Sequence, residues 1–149
     1  NELINDTYRV FRTLPAQDIA FVKGIKNYEA YTSKCKGFET AKGTPNHVKS
    51  AYHYNLLLKK HNIDNKYESI VSGDKMRVIY VQQPNKYGIN TIGFKSMLPA
   101  EFATDFTVDY KIMFEKILYS MIDRLYSCVN WSIRKPTENV RTELFDLFS

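Results

Sequence analysis

The amino-acid sequence predicts an α+β fold with a small antiparallel β-element and two principal helices. Two segments, 44–61 and 107–129, place apolar residues at helical spacing. Between them, residues 70–95 contain two extended runs on either side of a proline- and glycine-containing turn, which is typical of a β-hairpin. The 149 residues correspond to about one domain and are enough to bury a core.

The first 22 residues predict the end of a helix followed by a short strand. The helical segment reaches Phe11, and Leu14-Pro15 favours a break because proline cannot continue a helix. Ile19–Val22 is apolar throughout and predicts a buried strand. Residues 23–43 combine glycine, lysine and tyrosine, a composition that predicts a loop with short extended pieces.

The first principal helix is predicted over residues 44–61. Thr44 is suited to cap its N-terminus, Pro45 fits the first helical position, and Asn62 suits a left-handed C-terminal cap. The helix begins directly after Lys42-Gly43, and a helix N-terminus beside a lysine favours phosphate. One predicted face holds Val48, Ala51, Tyr52, Asn55 and Leu58, and another holds Lys49, His53 and Lys60.

The hairpin is predicted as a strand over 76–81, a turn over 84–88 and a returning strand over 89–94. The second helix is predicted over 107–129, and its broad apolar stripe indicates core packing rather than a cofactor site. Residues 134–139 are polar and indicate a flexible linker.

The positive charge is concentrated in one part of the chain. The net charge is +5, yet residues 23–66 contain nine lysines and three acidic residues, a net +6. A concentrated positive field attracts phosphate backbones and releases their counterions. The charge pattern therefore leaves two interpretations, a nucleic-acid partner or a solubilising lysine-rich surface.

The cysteine, histidine and hydropathy patterns argue against a zinc-binding protein, a membrane-spanning protein and a secreted protein. Cys35 and Cys128 are 93 residues apart and form no CxxC pattern, and three scattered histidines do not complete a zinc site. Two free thiols in a reducing compartment are the favoured interpretation, with a disulfide as the alternative. No run of 18 apolar residues occurs, and the first six residues do not form a secretion signal.

Two segments resemble the C-terminal region of family B DNA polymerases, and they occur in the family's order. Residues 42–57 begin Lys-Gly-Thr-Pro-Asn-His-Val-Lys and run into a helix, similar to the Gly-x-Pro-x-His-x-basic segment of the family's thumb domain. Residues 73–81 begin Gly-Asp-Lys-Met-Arg, similar to the Gly-Asp-Lys-x-Arg strand that follows it. Leu98–Phe102 and Asp109-Tyr110 also fit the family's closing region.

The last residues resemble the peptide with which replicative polymerases of T-even-like phages bind the sliding clamp. That peptide reads Leu-Phe-Asp-hydrophobic-Phe, and residues 144–148 read Leu-Phe-Asp-Leu-Phe. A disordered end is the alternative, although exposed apolar side chains reduce solubility unless a partner covers them. The predicted clamp-binding residues are Leu144, Phe145, Leu147 and Phe148.

The resemblance, which covers roughly residues 8–149, implies that basic residues hold the phosphates of primer–template duplex behind the active site. Backbone contacts suit a polymerase because it must grip any sequence, and lysine is a flexible point charge. Solvent exposure without a ligand is the alternative for the basic residues, and a structural role in the helix is the alternative for His47. The predicted DNA-binding residues are Lys34, Lys36, Lys42, Gly43, His47, Lys49, Lys75 and Arg77.

The family's paired metal-binding aspartates lie in its palm domain, and this chain has no Asp-Thr-Asp type of motif. Asp105 and Asp109 have the wrong spacing for that role. The resemblance therefore implies no catalytic or metal-binding residue on this chain, with Mg²⁺ expected in the palm of the complete polymerase. Because the match begins inside the family's thumb, we expect a fragment or the smaller subunit of a split polymerase.

We therefore expect the C-terminal part of a phage DNA-directed DNA polymerase, a nucleotidyltransferase of the host cytoplasm. It divides into a partial thumb over 1–130, a linker over 131–141 and a mobile clamp-binding peptide over 142–149. The expected partners are primer–template DNA, the sliding clamp and the palm, fingers and exonuclease domains, with no membrane. The alternatives are a stand-alone, non-catalytic nucleic-acid-binding accessory module and a small complete enzyme such as a nuclease.

Overall fold

The structure, a computed structural model, describes residues 2–128 and has an α+β fold, as the sequence predicts. The predicted linker at 131–141 and the clamp-binding peptide at 142–149 lie outside the described residues. In chain order the elements are α1 (Glu2–Phe11), α2 (Ala16–Ile19), β1 (Phe21–Gly24), α3 (Tyr28–Thr32), α4 (Asn46–Lys60), β2 (Lys75–Tyr80), β3 (Thr91–Phe94), a 3-10 helix (Ala100–Thr104) and α5 (Tyr110–Cys128).

The chain divides into two compact units, of which one is Pro15–Asp109 and the other contains α1 and α5. In the second unit, the rings of Phe11 and Phe114 lie 5.1 Å apart between centroids. The Tyr110 hydroxyl donates to the Leu14 carbonyl at 2.7 Å. An apolar face of α1 therefore packs on the first turns of α5, and α5 confirms the second predicted helix.

The Pro15–Asp109 unit is built on a three-stranded antiparallel sheet with the order β1-β2-β3. The predicted hairpin is confirmed as β2 and β3, with Val78 opposite Gly93. The strand predicted at Ile19–Val22 is displaced, because Ile19 ends α2 and the strand begins at Phe21. Ile19 is buried from the end of this short helix, so its apolar character reflects core packing rather than a strand.

Helix α4 covers β3 and forms the centre of this unit. Its buried residues are Val48, Ser50, Ala51, His53, Tyr54, Leu57 and Leu58. The Ser50 and Thr91 hydroxyls lie 2.6 Å apart and join the two elements. Helix and strand approach closely at Gly93, where a Cβ would overlap the Met76 methyl and lie 3.2 Å from the Ser50 backbone. The prediction that His53 belongs to a polar face is wrong, since it is 6% exposed.

The two ends of α4 differ in how well the sequence predicts them. The predicted Thr44 cap is wrong, because the Thr44 hydroxyl donates backwards to the Ala41 carbonyl at 2.7 Å. Pro45 precedes the helix in an extended conformation instead of occupying its first turn. At the other end, Asn62 has a φ of 55°, which confirms the predicted left-handed residue.

Two side chains of α4 attach the segment between α4 and β2. The Asn55 Oδ1 atom accepts from the Ile70 N–H at 2.8 Å, and Asn55 Nδ2 donates to the Ile70 carbonyl at 2.8 Å. The Tyr54 hydroxyl donates to the Glu68 carbonyl at 3.0 Å, and burial raises the pKa of Tyr54 to about 12. One amide side chain therefore satisfies both backbone groups of a fully buried residue.

Three short elements were not predicted, and the first of them is α2, whose last residue is Ile19. Helix α3 lies within the predicted loop over 23–43, and the 3-10 helix follows Pro99. Both are five residues long, which is too short to give a periodic pattern in the sequence. Among the helices of residues 2–128, none combines the length and the apolar character needed to cross a membrane.

We predict that Gly93→Ala lowers the free energy of unfolding by about 1–3 kcal/mol, because the added methyl overpacks the contact between β3 and the Ser50 backbone. Chemical denaturation measures it. Gly24→Ala on β1 is the matched control, since a Cβ there meets nothing within 4 Å and the change should stay within about 0.5 kcal/mol. Equal effects at the two positions would contradict the close approach at Gly93.

Candidate nucleic-acid interface

Most predicted DNA-binding residues lie on one continuous stretch, the basic loop (residues 33–43) and the first turn of α4. The loop is folded on itself at Lys36 and Glu39. The Lys36 N–H donates to the Glu39 carbonyl at 3.1 Å, and the Glu39 N–H donates back at 3.0 Å. Gly37 lies inside this turn with a φ of +54°, a conformation that favours glycine. The loop is therefore an ordered turn rather than a random connection.

A second turn brings Lys42 and Gly43 directly before α4. The Thr44 N–H donates to the Ala41 carbonyl at 3.2 Å and closes the turn. Gly43 has a φ of +88°, which a residue with a side chain adopts only under strain. Lys42 and Gly43 are both exposed, so the backbone at this corner is open to a ligand.

The lysines of the basic loop are exposed and are not paired with carboxylates of the described residues. Lys34, Lys36 and Lys42 are exposed, and within residues 2–128 none of them forms an ion pair with a carboxylate. By contrast, Lys66 pairs with Glu101 at 2.8 Å and Lys95 pairs with two carboxylates at 3.1 Å. The charges of Lys34, Lys36 and Lys42 are therefore not neutralised by carboxylates of the described residues, whereas those of Lys66 and Lys95 are.

His47 and Lys49 lie in the first turn of α4 and are both partly exposed. Lys49 is one helical turn from His53, and its charge helps to lower the pKa of that buried imidazole. Lys49 therefore extends the positive surface of the basic loop along the helix.

Lys75 and Arg77 belong to the sheet and not to the basic loop. Lys75 is the exposed first residue of β2 and is paired with Gly24 of β1. The Arg77 guanidinium is partly buried and donates to the Gln17 carbonyl at 2.8 Å. Arg77 thus has an internal role, since it attaches α2 to β2.

The structure also identifies a buried histidine that anchors the basic loop. His53 Nε2 donates to the Phe38 carbonyl at 3.0 Å, which ties the Lys36–Glu39 turn to the middle of α4. Burial lowers the pKa of His53, the charge of Lys49 acts in the same direction, and the bond to Phe38 opposes both. The one sequence signal for this anchor was an isolated aromatic residue, Phe38, between lysines.

Asp105, whose spacing from Asp109 does not match the metal-binding aspartates of the polymerase family, is engaged in the fold. Its Oδ2 atom accepts from His61 Nε2 at 2.7 Å and from the Tyr87 hydroxyl at 3.4 Å. The pair joins the end of α4 to the residue after the 3-10 helix. Across residues 2–128, no group of three histidine, cysteine or acidic side chains is placed to hold a metal ion.

Cys35 carries a free thiol that contributes to the fold of the basic loop. Its Sγ atom donates to the Tyr31 carbonyl at 3.5 Å and accepts from the Ala41 N–H at 3.4 Å. These contacts draw the two ends of the basic loop together. The second predicted thiol, Cys128, has a side chain outside the described part of the structure.

Compared with protein-family models and with curated proteins, the chain matches none. The resemblance to family B polymerases therefore stays a prediction carried by its motifs. The geometry adds a surface of unpaired lysines on an ordered loop beside a helix N-terminus. Unpaired lysines and a helix N-terminus are features that favour phosphate.

We predict that acidification destabilises the chain through His53. Its pKa is lowered in the folded state, so the unfolded state takes up the proton first as the pH falls below the ordinary value of 6.5. Stability should be fully present above that pH and then fall by up to about 1.4 kcal/mol per pH unit until the folded imidazole titrates.

Denaturation curves at pH 7.5 and pH 5.5 test this expectation, with His53→Gln as the comparison. The variant should be less stable at pH 7.5 but lose less stability between the two pH values. If wild type and variant lose the same amount, His53 is not the group responsible.

Proposed function

We propose that this chain is the C-terminal part of a DNA-directed DNA polymerase that grips primer–template duplex through its phosphate backbone and tethers the enzyme to a sliding clamp. The observation that carries the proposal is the set of unpaired, exposed lysines on the ordered basic loop next to the N-terminus of α4. Because the chain supplies grip and not chemistry, it acts with a palm-containing partner. Its site of action is the host cytoplasm.

The residues of the basic loop favour duplex backbone over base-specific readout. Lys34, Lys36 and Lys42 are separate point charges on a loop, without the bidentate arginine or amide side chains that read base edges. Contacts of this kind position a protein on DNA without selecting a sequence. That property is what a polymerase needs behind its active site, where any sequence must be held.

The second part of the proposal concerns the C-terminal peptide. Leu144, Phe145, Leu147 and Phe148 give it the apolar anchors that a peptide needs to bind a hydrophobic pocket. Linking a modest DNA contact to a modest clamp contact makes the second binding event intramolecular. The combination slows escape from DNA more than either contact does alone.

We predict that the chain binds labelled primer–template without sequence preference and more tightly than single strand, as fluorescence anisotropy will measure. About four to five phosphate contacts give a log–log salt slope between about −3 and −5. A triple Lys→Gln variant at 34, 36 and 42 should bind more weakly, with a slope shallower by about 2–3.

The matched control removes the same charge elsewhere, by Arg→Gln at the exposed residues Arg9, Arg12 and Arg124. It should keep the wild-type slope to within about one unit. If the control variant and the lysine variant lose affinity equally, net charge and not the basic loop determines binding. Absence of duplex binding by the wild type at low salt would exclude the proposed grip.

We predict that deleting residues 142–149 abolishes binding to a sliding clamp and leaves primer–template affinity within about twofold, because DNA and clamp contact separate parts of the chain. Isothermal titration with the clamp measures the first effect, and anisotropy measures the second. A variant with the tail residues in scrambled order controls for length and composition. Clamp affinity that survives the deletion would contradict the assignment of the peptide.

A further inference from the structure

A stack of aromatic rings lies beneath the basic loop and includes residues that the sequence does not connect. The Phe38 and Tyr87 rings are stacked, with centroids 4.5 Å apart and planes 21° apart. The His53 ring also stacks on Phe38, with centroids 5.8 Å apart. The Lys60 ammonium lies 4.4 Å from the Tyr87 centroid and 5.7 Å from that of Phe38. Phe38 is therefore held by ring contacts and by its own carbonyl, which His53 binds.

Tyr87, on which Phe38 stacks, is itself fixed. The Asn85 amide donates to the Ile89 carbonyl at 2.6 Å and to the Gln82 carbonyl at 3.0 Å, so the loop that carries Tyr87 is closed. The Tyr87 hydroxyl donates to Asp105 at 3.4 Å. None of these contacts involves the basic loop, so a substitution at Phe38 removes the ring contacts of that loop and leaves Tyr87 in place.

Phe38 lies inside the turn whose flanking residues Lys36 and Glu39 are exposed. The Phe38 ring packs against the rings of Tyr87 and His53. The lysines of the basic loop are exposed to solvent. A loop that binds a polyanion must lose conformational freedom on binding, and ordering it beforehand reduces that loss. The ring stack therefore supplies order that the lysines themselves do not.

We propose that Phe38 is a positioning residue, which fixes the basic loop in the conformation that contacts the phosphate backbone. The proposal rests on the proposed DNA-gripping function and names the device that organises that site. Phe38 touches no phosphate. It acts through the placement of Lys34, Lys36 and Lys42, and removing the ring leaves the number of positive charges unchanged.

The test compares Phe38→Ala, Phe38→Leu and Phe38→Tyr with wild type, with labelled primer–template over a salt series and with amide hydrogen exchange. Phe38→Ala should bind about tenfold more weakly at each salt concentration, with a slope within about one unit of wild type because no charge is lost. Exchange over 34–42 should accelerate. Phe38→Tyr, which keeps the stacked ring, should restore the affinity to within about threefold of wild type. If Phe38→Ala does not fold, Phe38→Leu takes its place. This variant keeps most of the apolar volume but removes the stacked ring, so it should also weaken DNA binding.

Tyr67→Ala is the matched truncation of a partly buried aromatic residue outside the loop, and it should leave DNA affinity unchanged. If exchange over 34–42 accelerates in the Phe38 variants and duplex affinity does not fall, the positioning role is excluded while the grip itself stands. If Phe38→Tyr is as weak as Phe38→Ala, the ring stack is not the cause. If the wild type fails to bind duplex at low salt, both the grip and its positioning residue are overturned.

Discussion

The close approach of α4 to β3 at Gly93 is the contact on which the rest of the Pro15–Asp109 unit depends. With no side chain at Gly93, the Ser50 backbone can lie against the strand, and the Ser50 and Thr91 hydroxyls can meet. The helix then covers the sheet face that carries Thr91 on β3 and Met76 on β2, both of which are buried. Packing of this density makes α4 a rigid reference for the segments attached to it.

Each segment around α4 is attached by a specific side chain of that helix. Asn55 holds the chain at Ile70, His53 holds the basic loop through Phe38, and His61 contacts Asp105. The basic loop, which carries the lysines, is therefore attached to the buried helix α4 through the bond between His53 and the Phe38 carbonyl. Lys66 and Lys95, which lie outside the basic loop, are neutralised by carboxylates, and the lysines of the basic loop are not.

The sequence predicts elements well where periodicity and turn chemistry agree. The hairpin of β2 and β3, the extent of α4, α5 and the left-handed residue at Asn62 follow from apolar spacing and local turn preferences. The error at Thr44 arises because its hydroxyl makes a competing local bond to the Ala41 carbonyl, three residues earlier. The error at Ile19 arises because its burial in the core does not depend on a strand conformation. The lysines were found by composition, but the stack of Phe38, Tyr87 and Lys60 joins three distant segments and has no sequence signature.

The central claim is that duplex DNA contacts the basic loop and the first turn of α4. An NMR titration of the isotope-labelled chain with primer–template, at low salt, tests it residue by residue. The account predicts amide shifts over 33–49, with smaller changes near Lys75, and none around the ion-paired Lys66 and Lys95. Shifts centred on those two paired lysines, or no shifts in the basic loop at saturating DNA, would contradict it.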